Sequence, residues 1–339
     1  MEHLGLVGFT GAGANRLFSA LTGLAVPSEY EEAIGVASVP DDRVHLLAEM
    51  SKSKKVVSAG FHLAHLALPP GSKPGEGLGA KFVGTLRNSD AVLMVLRAYD
   101  GGLGAPDPEG DLAALELELV LADLQAVEQR LTRQRRAAKS GDKDVADEVE
   151  VLERAQGLLG DGTPLGRADM SGDDLERLSP VFLLTVKPLL LVANTGEDVG
   201  TGVALPSGAL PVPVDIEAEI AACAPEDRAE MRESYGLGES ALDTVAHAAY
   251  HLLGRRTFLT TGEDETRAWT FRAGAKAPEC AGVIHTDLQR GFIRAEVIQW
   301  QELLDIGSWA KARELKKIRV EGKDYEVADG DVLEIRFNV

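Results

Sequence analysis

The sequence predicts an α/β protein in which a parallel sheet carries an inserted helical hairpin. Three observations point there. Short apolar runs of strand length are separated by helical stretches, the pattern of a parallel sheet. A glycine-rich turn joins the first run to the first helical stretch. Residues 111–159 repeat apolar positions at three- and four-residue spacing, as helices packed on one another do.

The elements follow in order. Residues 4–8 form the first apolar run and end in GFTGAGAN, at positions 8–15. Leu17, Ala20 and Leu21 then fall at helical spacing. Residues 61–68 and 91–96 read as buried strands. Leu117, Leu121, Leu124, Val127 and Leu131 make one helical seam; Val145, Val149 and Leu152 make another. AAKSGDKD between them is turn-like, so the two helices are expected to run antiparallel and to project from the sheet, coiled-coil-like. Residues 160–180, rich in Gly, Asp and Ser, read as a loop. Residues 189–193 and 210–214 are further strands. Leu242, Val245, Ala249 and Leu252 line one face of a helix over 240–255.

A chain of 339 residues exceeds one ordinary core, so two or three domains are expected. Aromatic residues are only 5%, so Leu, Val and Ala must build the cores. The net charge of −19 repels nucleic acid on average, so any RNA contact needs a local basic patch. Arg130, Arg133, Arg135, Arg136 and Lys139 form one such cluster, and Lys311, Arg313, Lys316, Lys317 and Arg319 a second. Neither has an aromatic platform beside it, so base-specific readout and DNA specificity are not expected. Cys223 and Cys280 lie far apart and suggest a reduced chain without a disulfide framework. The N-terminus has no cationic leader. The longest apolar run, residues 181–193, is cut by Lys187 and Pro188 and is too short to span a bilayer. A cytoplasmic location without membrane partners is the expectation.

The C-terminal stretch contains RAWT, AGVIHTD, RGFIRAEV and EGKDY and ends in RFNV. It closely resembles the TGS (ubiquitin-like, β-grasp) domain, which carries the DUF933 name and closes YchF-type proteins of the Obg group of P-loop NTPases. LELELVLADLQAVEQRL resembles the helical insertion of that family. The resemblance implies a P-loop domain in two parts, 1–110 and 171–257, a hairpin insertion at 111–170 and a TGS domain at 258–339. It also implies ATP or GTP binding and an association with ribosomes or RNA.

A P-loop, G-x-x-x-x-G-K-[ST], wraps phosphate oxygens in backbone amides. Its Lys reaches the β- and γ-phosphates and its hydroxyl binds magnesium. Gly8 and Gly13 take the two glycine positions and Gly11 is an extra one. Ala14 stands at the Lys position and Asn15 at the Ser/Thr position. Arg16 lies on a different side of the helix start. In the D-x-x-G motif of the family, the Asp supports magnesium and the Gly amide senses the γ-phosphate. His65 aligns with that Asp and Leu68 with that Gly. GVASVPDDR, at positions 35–43, matches the strand after switch I, but GLAVPSEYEEAI before it is short and has no Thr.

The base-reading motif is better kept. Asn194 and Glu197 form N-x-x-E directly after a strand, the form that YchF proteins associate with adenine nucleotides. IEAE follows at positions 216–219, with Pro213 and Val214 where small residues usually contact the base.

The resemblance thus implies a nucleotide held by Gly8, Gly11, Gly13, Asn15, Asn194 and Glu197, with no catalytic and no metal-ligating residue assigned. Each lost charge-assisted bond forfeits about 1.5–3 kcal/mol, and several lost together take a micromolar site to about millimolar or weaker. A binding or regulatory protein with little or no hydrolysis, a pseudo-NTPase, is one expectation. A slow ATPase or GTPase with an atypical phosphate and magnesium site is the alternative.

Overall fold

The computed structural model of the chain describes residues 3–67, 79–102, 104–138, 142–197 and 202–338. In chain order, the elements up to the hairpin are β1 (His3–Gly8), α1 (Ala14–Thr22), β2 (Ala33–Val39), α2 (Asp42–Ser51), β3 (Val56–Val57), β4 (Ala59–His65), α3 (Ala80–Arg87) and β5 (Ala91–Arg97). The hairpin helices are α4 (Pro108–Ala137) and α5 (Lys143–Gly160). Then come α6 (Gly172–Leu178), β6 (Leu189–Asn194), β7 (Leu210–Val212), α7 (Val214–Ala222), α8 (Arg228–Ser234) and α9 (Ala241–Leu252). The C-terminal elements are β8 (Arg255–Thr260), β9 (Thr266–Arg272), α10 (Ala277–Ile284), α11 (Thr286–Arg290), β10 (Phe292–Gln299), α12 (Trp300–Ile306), α13 (Trp309–Glu314), β11 (Arg319–Glu321) and β12 (Asp331–Phe337). The described residues fall into two compact units, one within 1–35 and 62–245, the other within 36–61 and 246–339.

The sheet of the first unit has the strand order β2-β4-β1-β5-β6-β7. β1 pairs in parallel with both β4 and β5, so Leu4 faces Leu63 on one side and Ala91 on the other. β5, β6 and β7 continue the parallel run. The expected α/β architecture is therefore present. Strand order reverses beside β1, which puts the loop after it at a switch point, where open α/β sheets bind ligands. Val7, Met94 and Leu96 of the sheet pack against Leu115 and Leu119 of α4.

The hairpin forms as expected, but the start of its seam differs. Leu117 and Leu121 are 46% and 47% exposed. The distal core keeps the expected Val127 and Leu131, with Leu124 packed against it, and adds Val120; it meets Val151, Leu152, Ala155 and Leu159 of α5. The reason is that α4, at 30 residues, has two neighbours. Its first half lies on the sheet and its second half on α5, and one straight stripe cannot serve both. Buried Asp123 fixes the handover by accepting from the amides of Leu184 and Thr185 at 2.8 and 2.7 Å. Burial still pushes its carboxyl upward.

Residues 160–180 are more ordered than a loop. Ser171 and Asp174 form a reciprocal capping box that starts α6. The short S-x-x-D signal lay in a segment whose composition reads as turn.

In the second unit the strand order is β11-β10-β12-β8-β9-β3. β8 and β9 are an antiparallel hairpin, β10 pairs antiparallel with β12, and β12 meets β8 in parallel. This sheet curls around α10, whose Ala277, Cys280 and Ala281 are buried with Phe258, Phe271 and Val297, a β-grasp core. Two elements from much earlier in the chain belong here. β3 extends the sheet by pairing with β9, Val56 opposite Thr266, and α2 packs on β9. Asp331 is fully buried and accepts from Tyr325 Oη (2.7 Å), the Ala328 amide (2.9 Å), Gln299 Nε2 (2.8 Å) and Arg319 Nη2 (3.2 Å). Burial, with this carboxylate beside it, pushes the Tyr325 hydroxyl up to about 12.

Candidate functional site

The parallel strands of the first unit all end on one edge, so the chain leaving each of them converges there. Gly8 closes β1, His65 closes β4, Tyr99 follows β5, Asn194 closes β6 and Pro213 follows β7. The motif residues, far apart in sequence, are brought together by this geometry alone.

The glycine loop makes a tight turn, with Ala12 N–H donating to Phe9 O at 2.9 Å. Gly11 and Gly13 have φ of 81° and 88°, the left-handed region that glycine enters without strain. At Gly13 there is a second reason for glycine: an added Cβ would lie 2.5 Å from Asn194 Nδ2. No side chain caps α1, so the helix begins with backbone amides facing the loop. In shape this is a phosphate cradle.

The groups around the cradle are another matter. Ala14 is buried and offers no charge. Asn15 Nδ2 donates to Pro27 O at 3.2 Å. His65 is buried, and its Nδ1 lies 3.0 Å from Glu31 O. Burial lowers the affinity of its ring for a proton, only partly offset by that carbonyl and by Glu29. Arg16 pairs with Asp215 at the start of α7. A carboxylate also reaches in: Glu29 Oε1 accepts from the Gly11 amide at 3.0 Å. Lys81 pairs with Glu32 at 3.2 Å. Leu68 and the GEGLG motif lie outside the described residues, apart from Gly79.

Asn194 is buried and bonded through both side-chain atoms. Its Nδ2 donates to Ala12 O at 2.9 Å, and its Oδ1 accepts from Gly196 N at 3.0 Å and Val214 N at 3.3 Å. It thus ties the glycine loop to the two loops beyond β6 and β7. Glu197 is exposed. Thr195 Oγ1, between them, is buried without a partner among the described residues. In IEAE, Glu217 is buried and grips Arg232 through both carboxylate oxygens, at 2.8 and 3.1 Å, and the Ala241 amide at 2.9 Å.

Sequence reasoning missed two residues. Tyr99 Oη donates to Gly11 O at 2.8 Å, and its ring packs so closely on Gly196 that a Cβ there would lie 2.9 Å away. Burial raises its hydroxyl. A tyrosine just beyond a buried strand, on the edge where motifs gather, was a usable signal. Glu29 had none, because its partner is a backbone amide 18 residues away.

The backbone amides of this edge, at a glycine turn and a helix start, are of the kind that favours an anion. Asn15 Nδ2 and His65 Nδ1 bond to backbone carbonyls, and Asn15 Oδ1 accepts from the Arg16 amide. The described residues contain no group of three His, Cys, Asp or Glu placed to hold a metal ion.

About half of the residues in the basic clusters face acidic partners. Arg130 pairs with Glu148 and Arg135 with Glu153, at 2.8 and 2.7 Å. Arg313 lies between Glu296 and Glu334, Lys317 meets Glu302, and Arg319 meets Glu321 and Asp331. Arg133, Arg136, Lys311 and Lys316 are exposed. Lys139 lies outside the described residues. No helix among them is long and apolar enough to cross a membrane.

Known proteins match this chain over nearly its whole length. A family model described as YchF-GTPase_C, protein of unknown function (DUF933), matches residues 256–338. The chain is 40% identical to the ribosome-binding ATPase YchF of Bacillus subtilis, covering 99% of each. It is 37% identical to the protein of the same name from Haemophilus ducreyi, again over 99% of each. The solved structure of the Schizosaccharomyces pombe YchF GTPase superposes with a TM-score of 0.85 at 28% identity, covering 99% of this chain and 97% of that one. With this identity and coverage, the chain belongs to the YchF family.

Proposed function

We propose that this protein is a ribosome-associated binding or regulatory member of the family, working in the cytoplasm. Its nucleotide site holds ATP or GTP weakly, with little help from magnesium, and hydrolyses neither at a significant rate. Its relatives are named for ribosome binding and ATPase activity. One observation carries the weak-site reading: the side chains at the hydroxyl and Asp positions, Asn15 and His65, are bonded to Pro27 and Glu31 of the same chain. With Ala14 at the Lys position, no side chain there is left to meet phosphate charge. Phosphoryl transfer depends almost wholly on positioning and electrostatic stabilisation, so turnover suffers more than binding. Gly8, Gly11 and Gly13 would cradle phosphate through the backbone, Asn194 would brace the base loop, and Glu197 would stand at its rim. When bound, the nucleotide would supply a transferable phosphoryl group.

Calorimetric titration with ATP and GTP, with and without magnesium, tests this. Dissociation constants of about 1 mM or weaker, unchanged by magnesium, are expected. Low-micromolar, magnesium-dependent binding would overturn it in favour of the slow NTPase, a reading kept alive by the intact loop geometry.

Ribosome association is assigned to Arg133 and Arg136 near the hairpin tip. Their neighbours Arg130 and Arg135 are already paired. Co-sedimentation with ribosomes over a salt series should weaken in an Arg133→Gln, Arg136→Gln variant. Each phosphate partner removed should flatten the log–log salt dependence by about 0.7–0.9. Unchanged binding and slope would move the interaction to Lys311 and Lys316.

A further inference from the structure

We infer that Glu29 is the resident anion of the glycine loop: its carboxylate occupies the phosphate position on the Gly11 amide and competes with any incoming phosphate. This rests on reading the loop as the phosphate site of the nucleotide.

Backbone amides that converge at a glycine turn and a helix start favour negative charge. In the family pattern a lysine shares that position with the phosphates. Here Ala14 adds no cation, and Arg16 is held by Asp215. The attraction that remains comes from the amides, and the chain satisfies it internally. Ser28 to Glu31 form a turn, with Glu31 N–H donating to Ser28 O at 3.0 Å. Glu29 stands on that turn, and its Oε1 takes the Gly11 amide at 3.0 Å. A hydrogen bond from a backbone amide to a carboxylate is of the strong, charge-assisted kind.

The segment is pinned on both sides of Glu29. Asn15 holds Pro27 O, His65 holds Glu31 O and Lys81 holds Glu32. The two motif positions that would serve magnesium thus hold down the segment that delivers the carboxylate. A phosphate entering the cradle must break the Glu29 bond and then face its charge at close range. The shortened switch segment is therefore a cis-acting plug, with Glu29 as its tip.

The test uses the full chain, with inorganic tripolyphosphate and ATP as probes, both without magnesium. Tripolyphosphate isolates the loop from the base site. Glu29→Gln keeps the shape and removes the charge; Glu29→Ala removes both. Glu31→Gln is the control, since it removes an equal charge two residues away. Both Glu29 variants should bind tripolyphosphate and ATP at least about tenfold more tightly than wild type, the worth of one charge-assisted bond. Glu31→Gln should change affinity by less than about threefold. Without ligand, hydrogen exchange at the Gly11 amide should be at least about tenfold faster in Glu29→Ala. Equal affinities in wild type and Glu29 variants, an equal gain in Glu31→Gln, or unchanged Gly11 exchange would each overturn the plug. Weak binding throughout would remove the plug and leave the weak-site reading standing. Low-micromolar binding by wild type in this titration would remove both.

Discussion

Asp331 in the second unit and Asn194 in the first are both buried, and each gathers several hydrogen bonds. Asp331 ties together the end of β10, the loop before β12 and the residues around Tyr325. Asn194 ties the glycine loop to its two neighbours. What surrounds them differs. Around Asp331 the partners close a domain core and need nothing from outside. Around Asn194 backbone amides converge at a glycine turn and a helix start, and the side chains on that rim bind the chain itself. Groups that hold a fold are required by packing. Groups that hold a ligand are not, so they can change while the scaffold remains. Ala14 makes the point, because a small residue there leaves strand, loop and helix undisturbed.

That comparison can be broken by cutting each hub. Asp331→Ala strands the Ala328 and Gln299 amides in a buried place and takes one partner each from Tyr325 and Arg319, which keep each other. A loss of about 3–5 kcal/mol is expected in urea or thermal unfolding. A loss under about 1 kcal/mol would mean that the network is dispensable. Asn194→Ala should cost less, about 2–3 kcal/mol, because its partners are neutral backbone groups and part of the rim can admit water. If Asn194 proved the costlier, the loop edge rather than the β-grasp core would be the better-determined region.

A smaller effect concerns pH. The His65 ring is held below its ordinary value of 6.5, chiefly by burial. Between its folded value and 6.5 the unfolded chain takes up a proton that the folded chain does not, so stability falls as pH drops below about 6.5. His65→Leu should remove that share of the acid sensitivity, leaving the shares of His62 and His251, which are shifted the same way. An unchanged slope of stability against pH would show that His65 titrates normally.

The smallest expected change sharpens the comparison from the other side. Ala14→Lys with Asn15→Ser restores the motif on paper. Phosphate release by this variant should remain near background, because His65 and Glu29 are unchanged. Rates like those of an active relative would show that the loop residues alone decide turnover.

Much was legible without coordinates. Apolar runs marked β1, β5 and β6 within a residue or two, since buried parallel strands need continuous hydrophobic sequence. Gly8, Gly11 and Gly13 announced the loop. The seam of α4 holds at Leu124, Val127 and Leu131 but not at Leu117 and Leu121, since periodicity reports that a helix has an apolar face but not that its neighbour changes halfway along. The start of α6 was hidden because Ser and Asp serve caps and turns equally well.

The sequence by itself determined β1, β5 and β6, the two hairpin helices, the glycine loop, and the absence of a lysine, hydroxyl and carboxylate at the motif positions. Those are properties of residue type and local spacing. Only the tertiary structure decided that α2 and β3 join the C-terminal unit, that Arg130 and Arg135 face acidic partners on α5, and that Glu29 reaches the Gly11 amide. Each of these depends on which distant surfaces meet. A side chain that bonds to a backbone amide leaves no partner residue type for a sequence pattern to reveal.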